Sequence, residues 1–231
     1  NGGAVFWGAG TGNVFGGSTA GARNVIAGNT YNGVVVGNVS TGATVQGNYI
    51  GVGADGVTVL ANGSVGVQVE GGSTGTLVGT NLDGSNDVAE RNVIAGNGNS
   101  GVLIDGAATT GTLLRGNWIG LDAAGNARGN AQAGVFLSAS ASNNTIGGTA
   151  AGAGNTIAYN GWDGIRLSGS GTGNAFLGNS LYGNVEQAID IGAQGVTLND
   201  ADDPDSGGNN LQNFPRLTLA RTNGSNQLTL N

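Results

Sequence analysis

Apolar and polar residues alternate along this chain in short bursts, each closed by glycine or asparagine. The most regular burst is an asparagine, any residue, an isoleucine or leucine, then a small or aromatic residue. It occurs six times, beginning at Asn24, Asn48, Asn92, Asn117, Asn155 and Asn179. A unit this short cannot bury its own isoleucine, so copies must stack, isoleucine on isoleucine inside and amide on amide at a bend. These six asparagines are read as a structural amide ladder, and Asn29, Asn97, Asn160 and Asn184 as a second one.

The stacking unit is duplicated. Residues 13–33 align with 144–164 at a constant offset of 131, with eleven of twenty-one positions identical, and Asn92 to Asn97 repeats Asn24 to Asn29 letter for letter. The super-repeat of 63 to 68 residues holds two coils. A second strand pattern comprises Gly33-Val34-Val35-Val36, Gly66-Val67-Gln68-Val69, Gly101-Val102-Leu103-Ile104, Gly134-Val135-Phe136-Leu137, Gly164-Ile165-Arg166-Leu167 and Ala188-Ile189-Asp190-Ile191. Ala4-Val5-Phe6-Trp7 starts the series, giving seven rungs. Strict alternation with β-branched residues at both apolar places predicts half-buried strands rather than helix. A third pattern lies between the other two, as in Thr44-Val45-Gln46, Leu113-Leu114-Arg115 and Ala175-Phe176-Leu177. Three short strands per coil, joined by Gly and Asn bends, predict an all-β parallel solenoid of three sheets and about seven coils, closed by a short C-terminal hairpin or cap.

Composition supports a folded chain. Glycine is 49 of 231 residues, Pro only 2, charged residues 9% and hydrophobic residues 38%. Disordered chains have the opposite balance. Without Cys there is neither a disulfide framework nor a thiolate metal site, so stability must come from stacking. A net charge of −7 with no Lys argues against nucleic acid and anionic lipid as partners. No apolar run approaches the ~20 residues needed for membrane insertion. Beginning at Asn1, the chain reads as a processed product or an excised fragment.

The units Asn-Val-Ile-Ala-Gly-Asn and Gly-Asn-Trp-Ile-Gly resemble the right-handed parallel β-helix repeats of secreted bacterial proteins with the pectate-lyase-like fold, over about residues 4 to 199. The resemblance implies right-handed coiling and an extracellular or cell-surface location. It leaves activity open, because that fold carries lyases, hydrolases, epimerases, adhesins and inert spacers.

Two excursions, Gly51 to Ser64 and Gly120 to Gln132, leave after a Tyr/Trp-Ile-Gly unit, and a third spans Asn81 to Glu90. The first two are expected either to wall a groove along the Gly-Val sheet or to be plain surface insertions. Beyond a parallel β-helix at 1–199, residues 200–210 read as an acidic linker. Residues 211–231 read as two strands, Asn213 to Leu219 and Asn226 to Leu230, that cap the rod or begin a further β domain.

Candidate chemistry concentrates on the outward face of the Gly-Val strands. One outward column is read as Phe6, Val35, Gln68, Leu103, Phe136, Arg166 and Asp190. Its apolar members would be covered by loops, buried in self-association or stacked on sugar rings. Phe6, Leu103, Phe136, Arg166 and Asp190 are thus the candidate carbohydrate contacts, with Arg166 and Asp190 also readable as a cross-strand ion pair. The next column places Glu70 and Asp105 on neighbouring rungs about 5 Å apart, a spacing open to a retaining glycosidase, a shared cation or two merely solvated carboxylates. These two are the candidate catalytic pair. Measured against the resembling enzymes, the chain lacks the Lys of a pectate-lyase-type base, leaving Arg166, and shows neither a His nor the grouped Asp trio of inverting hydrolases. Asp200, Asp202, Asp203 and Asp205 are compatible with Ca²⁺ or with an acidic linker, and no cofactor is otherwise required. Three functions follow: a non-catalytic structural or adhesive segment that contacts polysaccharide or another chain, a polysaccharide-degrading enzyme, or a self-assembling spacer.

Overall fold

A computed structural model describes residues 3–7, 10–201, 206–213, 220–222 and 228–230, with only the backbone described for residues 5–7, 220–222 and 228–230. The chain winds into three parallel sheets, one of seven strands and two of six, so six full coils are followed by one further strand. The long sheet stacks Ala4–Trp7, Val34–Gly37, Val67–Val69, Val102–Asp105, Val135–Ser138, Ile165–Leu167 and Ile189–Ile191. The second sheet runs from Val14–Gly16 to Ala175–Leu177, and the third from Val25–Ile26 to Ser180–Tyr182. This is the all-β parallel solenoid the alternating pattern predicts.

Register follows from burial. The five strands from Val34–Gly37 to Ile165–Leu167 each bury two apolar positions, and neighbours pair like with like, as in Val34↔Val67, Val102↔Val135 and Ile165↔Ile189. A one-residue slip would expose the whole set. The third sheet contributes Ile50, Ile94, Ile119 and Ile157, all fully buried, and the second contributes Val45, Val78, Leu114 and Ile146. Together they form one continuous core cluster. At one point the expected register is corrected. Val5 pairs with Val35 and Phe6 with Val36, so Phe6 stands one position away from the outward column assigned to it. Its side chain lies outside the described residues.

At the bends, asparagine side chains run the length of the coils. Asn24 donates to Asn48 (3.0 Å), Asn48 to Asn92 (3.1 Å), Asn92 to Asn117 (2.9 Å), Asn117 to Asn155 (3.0 Å) and Asn155 to Asn179 (2.9 Å). The second ladder runs Asn29, Asn62, Asn97, Asn130, Asn160, Asn184 at 2.8 to 2.9 Å, and so includes two members beyond those read from the sequence, Asn62 and Asn130. A third ladder joins Asn144 to Asn174, and the Asn174 backbone N–H then donates to Asn209 Oδ1 at 3.0 Å. The short 3-10 turn Gly208–Leu211 thereby continues one corner of the coil beyond the last full rung. In the tail, Ala220–Thr222 pairs antiparallel with Leu228–Leu230. Of the first strand expected in the tail, residues 214–219 lie outside the described residues.

Glycine is required where one coil passes close above the next. Gly79 has φ +103°, and a Cβ there would strike the Arg115 carbonyl oxygen and the Asn117 amide. Left-handed backbone costs a non-glycine residue roughly 1–2 kcal/mol and overpacking about 1–3 kcal/mol more. Gly84, with φ +81° in an excursion, would meet nothing within 4 Å. Gly79→Ala should therefore cost at least about 2 kcal/mol in urea unfolding and Gly84→Ala about half of that. Equal losses would show that the close approach is not what selects glycine.

Candidate functional site

The outward face of the long sheet holds most of the residues singled out above, and nearly every polar one is engaged within the face. Gln68 accepts from Asn32 Nδ2 at 2.6 Å and donates through Nε2 to Glu70 Oε2 at 2.7 Å. Ser138 Oγ donates to Asp105 Oδ1 at 2.5 Å. Glu70 and Asp105 follow the paired residues Val69↔Ile104 on adjacent strands, and each carboxylate is bonded to a different side chain. Between these polar groups sit Leu103 and Phe136, directly paired and half-buried, with Val35 buried at one end of the stripe.

The charged end of the face is Arg166. Its Nη1 donates to Asp190 Oδ2 at 3.0 Å on the next rung and to Asp163 Oδ2 at 3.1 Å on its own. Both carboxylate side chains are at most 2% exposed, and the guanidinium 12%. Asp163 was not singled out by the sequence reading. Its signal is positional, since it occupies the place of Asn32 one residue before the Gly-Ile strand. Like Asn32, it accepts a backbone N–H from the next rung, here from Gln187 at 3.0 Å. Burial pushes the Asp190 carboxyl up from its ordinary value, the nearby Asp163 and Glu186 carboxylates push the same way, and the Gly195 N–H and Arg166 oppose them. Asp190 also lines a cleft of about 320 Å³ at the end of the rod, walled by Ile189, Ile191, Val196 and Leu211.

The two long excursions do not wall this face. Each folds back on itself as a tight antiparallel loop, bridged at Val52↔Val59 and at Leu121↔Ala127. A buried or local aspartate pins each turn: Asp55 accepts from the Val57 and Thr58 N–H groups, and Asp122 from those of Ala124 and Asn126. The loops then lie against the third sheet, with the Ala123 N–H donating to the Gly56 carbonyl at 2.9 Å. Val52, Val93 and Ala95 are sealed there, with Tyr49 and Ala123 packed against them. Arg23 and Arg91 stack over Tyr49 and Trp118 of the same sheet at 4.1 and 4.4 Å. The groove expected along the Gly-Val sheet is thus not bounded by these loops, because turns so short reach only the sheet they leave from.

Of the acidic stretch, the Asp200 backbone N–H donates to Asn213 Oδ1 at 3.0 Å, while Asp202, Asp203 and Asp205 lie outside the described residues. Among the described residues no group of three or more His, Cys, Asp or Glu side chains could hold a metal ion, and no helix is long and apolar enough to cross a membrane.

No curated protein and no solved structure matches the chain. A family model described as periplasmic copper-binding protein (NosD) matches residues 13–209. Copper favours thiolate, thioether and imidazole donors. The chain has no Cys, no Met and no His, so its residues do not fit that metal. The family match nevertheless spans nearly the whole solenoid, from the second sheet's first strand to the turn that continues its ladder. The chain therefore belongs to the NosD family of right-handed parallel β-helices.

Proposed function

We propose that this chain is a non-catalytic β-helical scaffold working outside the cytoplasm, in the periplasm or extracellular space, as part of a larger exported or cell-surface protein. The outward face of its long sheet meets a polysaccharide or another protein chain, through Leu103, Phe136 and the polar side chains around them. The family's description as periplasmic supports the location. One observation carries the functional reading: the carboxylates of this face are held by neighbours in the face itself, Glu70 by Gln68, Asp105 by Ser138, and Asp163 and Asp190 by Arg166. Carboxylates tied down in this way act as parts of a fixed polar face, which supports a scaffold. In this reading the acidic stretch 200–210 is the junction to the C-terminal strands 211–231.

The test is incubation with a panel of neutral and acidic polysaccharides, with and without calcium, following new reducing ends and unsaturated products. No cleavage is expected, together with retention on at least one immobilised glycan or partner protein that weakens in Phe136→Ala. Cleavage lost in Glu70→Gln or Asp105→Asn would replace this reading with a polysaccharide-degrading enzyme. Concentration-dependent assembly without glycan retention would replace it with a self-assembling spacer.

A further inference from the structure

We infer that this chain does not itself ligate copper, although its family is described by that metal. The inference stands on the donor set and is independent of the scaffold reading above. Soft thiolate and thioether ligands select Cu(I), and imidazole suits Cu(II). None of these side chains occurs in any of the 231 residues. Among side-chain ligands what remains is chiefly oxygen, and the oxygens of the ladders and of most buried carboxylates are committed elsewhere.

Along the ladders nearly every internal amide oxygen accepts twice from the preceding rung, while Asn97 Oδ1 accepts the Asn62 Nδ2 at 2.9 Å. Asn92 Oδ1 takes the Asn48 N–H at 3.0 Å and the Asn48 Nδ2 at 3.1 Å. Asn130 Oδ1 takes the corresponding groups of Asn97 at 3.1 and 2.8 Å. Buried carboxylates are likewise spent: Glu90 on the Asn81 N–H, Asp122 on its own turn and Asn126, Asp163 and Asp190 on Arg166. The exposed Glu186 carboxylate takes the Gln194 amide. Freeing any of the buried ones for a metal would leave buried donors unpaired, at about 1–3 kcal/mol each. Carboxylates and amide carbonyls are in any case hard ligands suited to magnesium, calcium or manganese.

The outward face could nonetheless carry copper if given donors. Gln68 and Leu103 are directly paired across adjacent rungs, ~4.8 Å apart, so Gln68→His combined with Leu103→His places two imidazoles side by side. The experiment uses the untagged full chain and this paired variant. Each is equilibrated with Cu(II), and in a second arm with Cu(I) kept reduced by ascorbate. Each is then desalted against nitrilotriacetate or bicinchoninate respectively, and copper per chain is measured by mass spectrometry. The parent should retain less than about a tenth of an equivalent in both arms, with the paired variant retaining several-fold more. A full equivalent retained by the parent in either arm would overturn the inference. Polysaccharide retention by the same preparation is read separately, so failure of one proposal leaves the other standing.

Discussion

Asn117→Ala is expected to destabilise the protein by about 4 kcal/mol or more, near the upper limit for a single substitution. The side chain is fully buried. Its Oδ1 accepts from the Asn92 N–H at 3.2 Å and from Asn92 Nδ2 at 2.9 Å, and its Nδ2 donates to Asn155 Oδ1 at 3.0 Å and to the Val78 carbonyl at 2.9 Å. Truncation therefore strands polar groups on both neighbouring rungs, where water does not reach. Each stranded group costs about 1–3 kcal/mol, whereas the net value of a hydrogen bond between satisfied partners is only about 1 kcal/mol. Asn24 makes the same kind of bond at the end of the ladder, half-buried. Asn24→Ala should then cost only about 1 kcal/mol. Urea unfolding of the two variants side by side measures the gradient. Losses within ~1 kcal/mol of each other would mean that the ladder stabilises rung by rung and not through burial of its middle.

That ladder was legible because an amide at a fixed place in a short apolar burst has few other reasons to recur. The members missed, Asn62 and Asn130, fall where a folded-back loop has been inserted, so their distance from the preceding isoleucine changes although their place in space does not. A period measured along the chain loses them, whereas the Gly-Val or Gly-Val-like strand that follows each would have restored them. The slip at Phe6 has a similar origin. An aromatic residue was taken to face outward, but Gly3 precedes Ala4 as Gly33 precedes Val34, and the Gly3 N–H bonds to the Asn32 carbonyl just where that anchor requires. Glycine position outranks side-chain size in setting register here, since a Cβ at Gly33 would meet Ile50 and the Gly66 carbonyl.

The outward face was legible as columns but not as contacts. Alternation tells which residues share a side of a sheet. It does not tell that Gln68 reaches along its own strand to Glu70, or that Ser138 turns back to Asp105, because those bonds depend on rotamers. The excursions failed for a different reason: length and point of departure were visible, but the turn-pinning roles of Asp55 and Asp122 fix their direction, and short Asp-centred turns fold back at once instead of projecting.

Arg166→Leu is the second large effect, expected at about 3–5 kcal/mol, because removing one partner of a buried charge cluster leaves the others uncompensated. Here the residue removed is the cation shared by two carboxylates, Asp163 and Asp190, both almost completely buried. The loss should depend on pH, and its sign follows from Asp190. Burial raises this carboxyl's folded value above the unfolded one, so its contribution to stability is complete at pH below the unfolded value and fades as pH climbs through the raised folded value. Arg166 opposes that rise, so deleting it enlarges the fade. The deficit of Arg166→Leu relative to the parent should therefore be largest near neutrality and shrink as Asp190 takes up its proton. Urea midpoints at about pH 7 and about pH 4 measure it. Adding Asp163→Asn and Asp190→Asn to Arg166→Leu should recover most of the loss at neutral pH, since neutral amides remove the unpaired charge that causes it. A deficit that is flat across this pH range, or a triple variant no more stable than Arg166→Leu alone, would show that the guanidinium contributes by packing over the last rungs and not by balancing the two carboxylates.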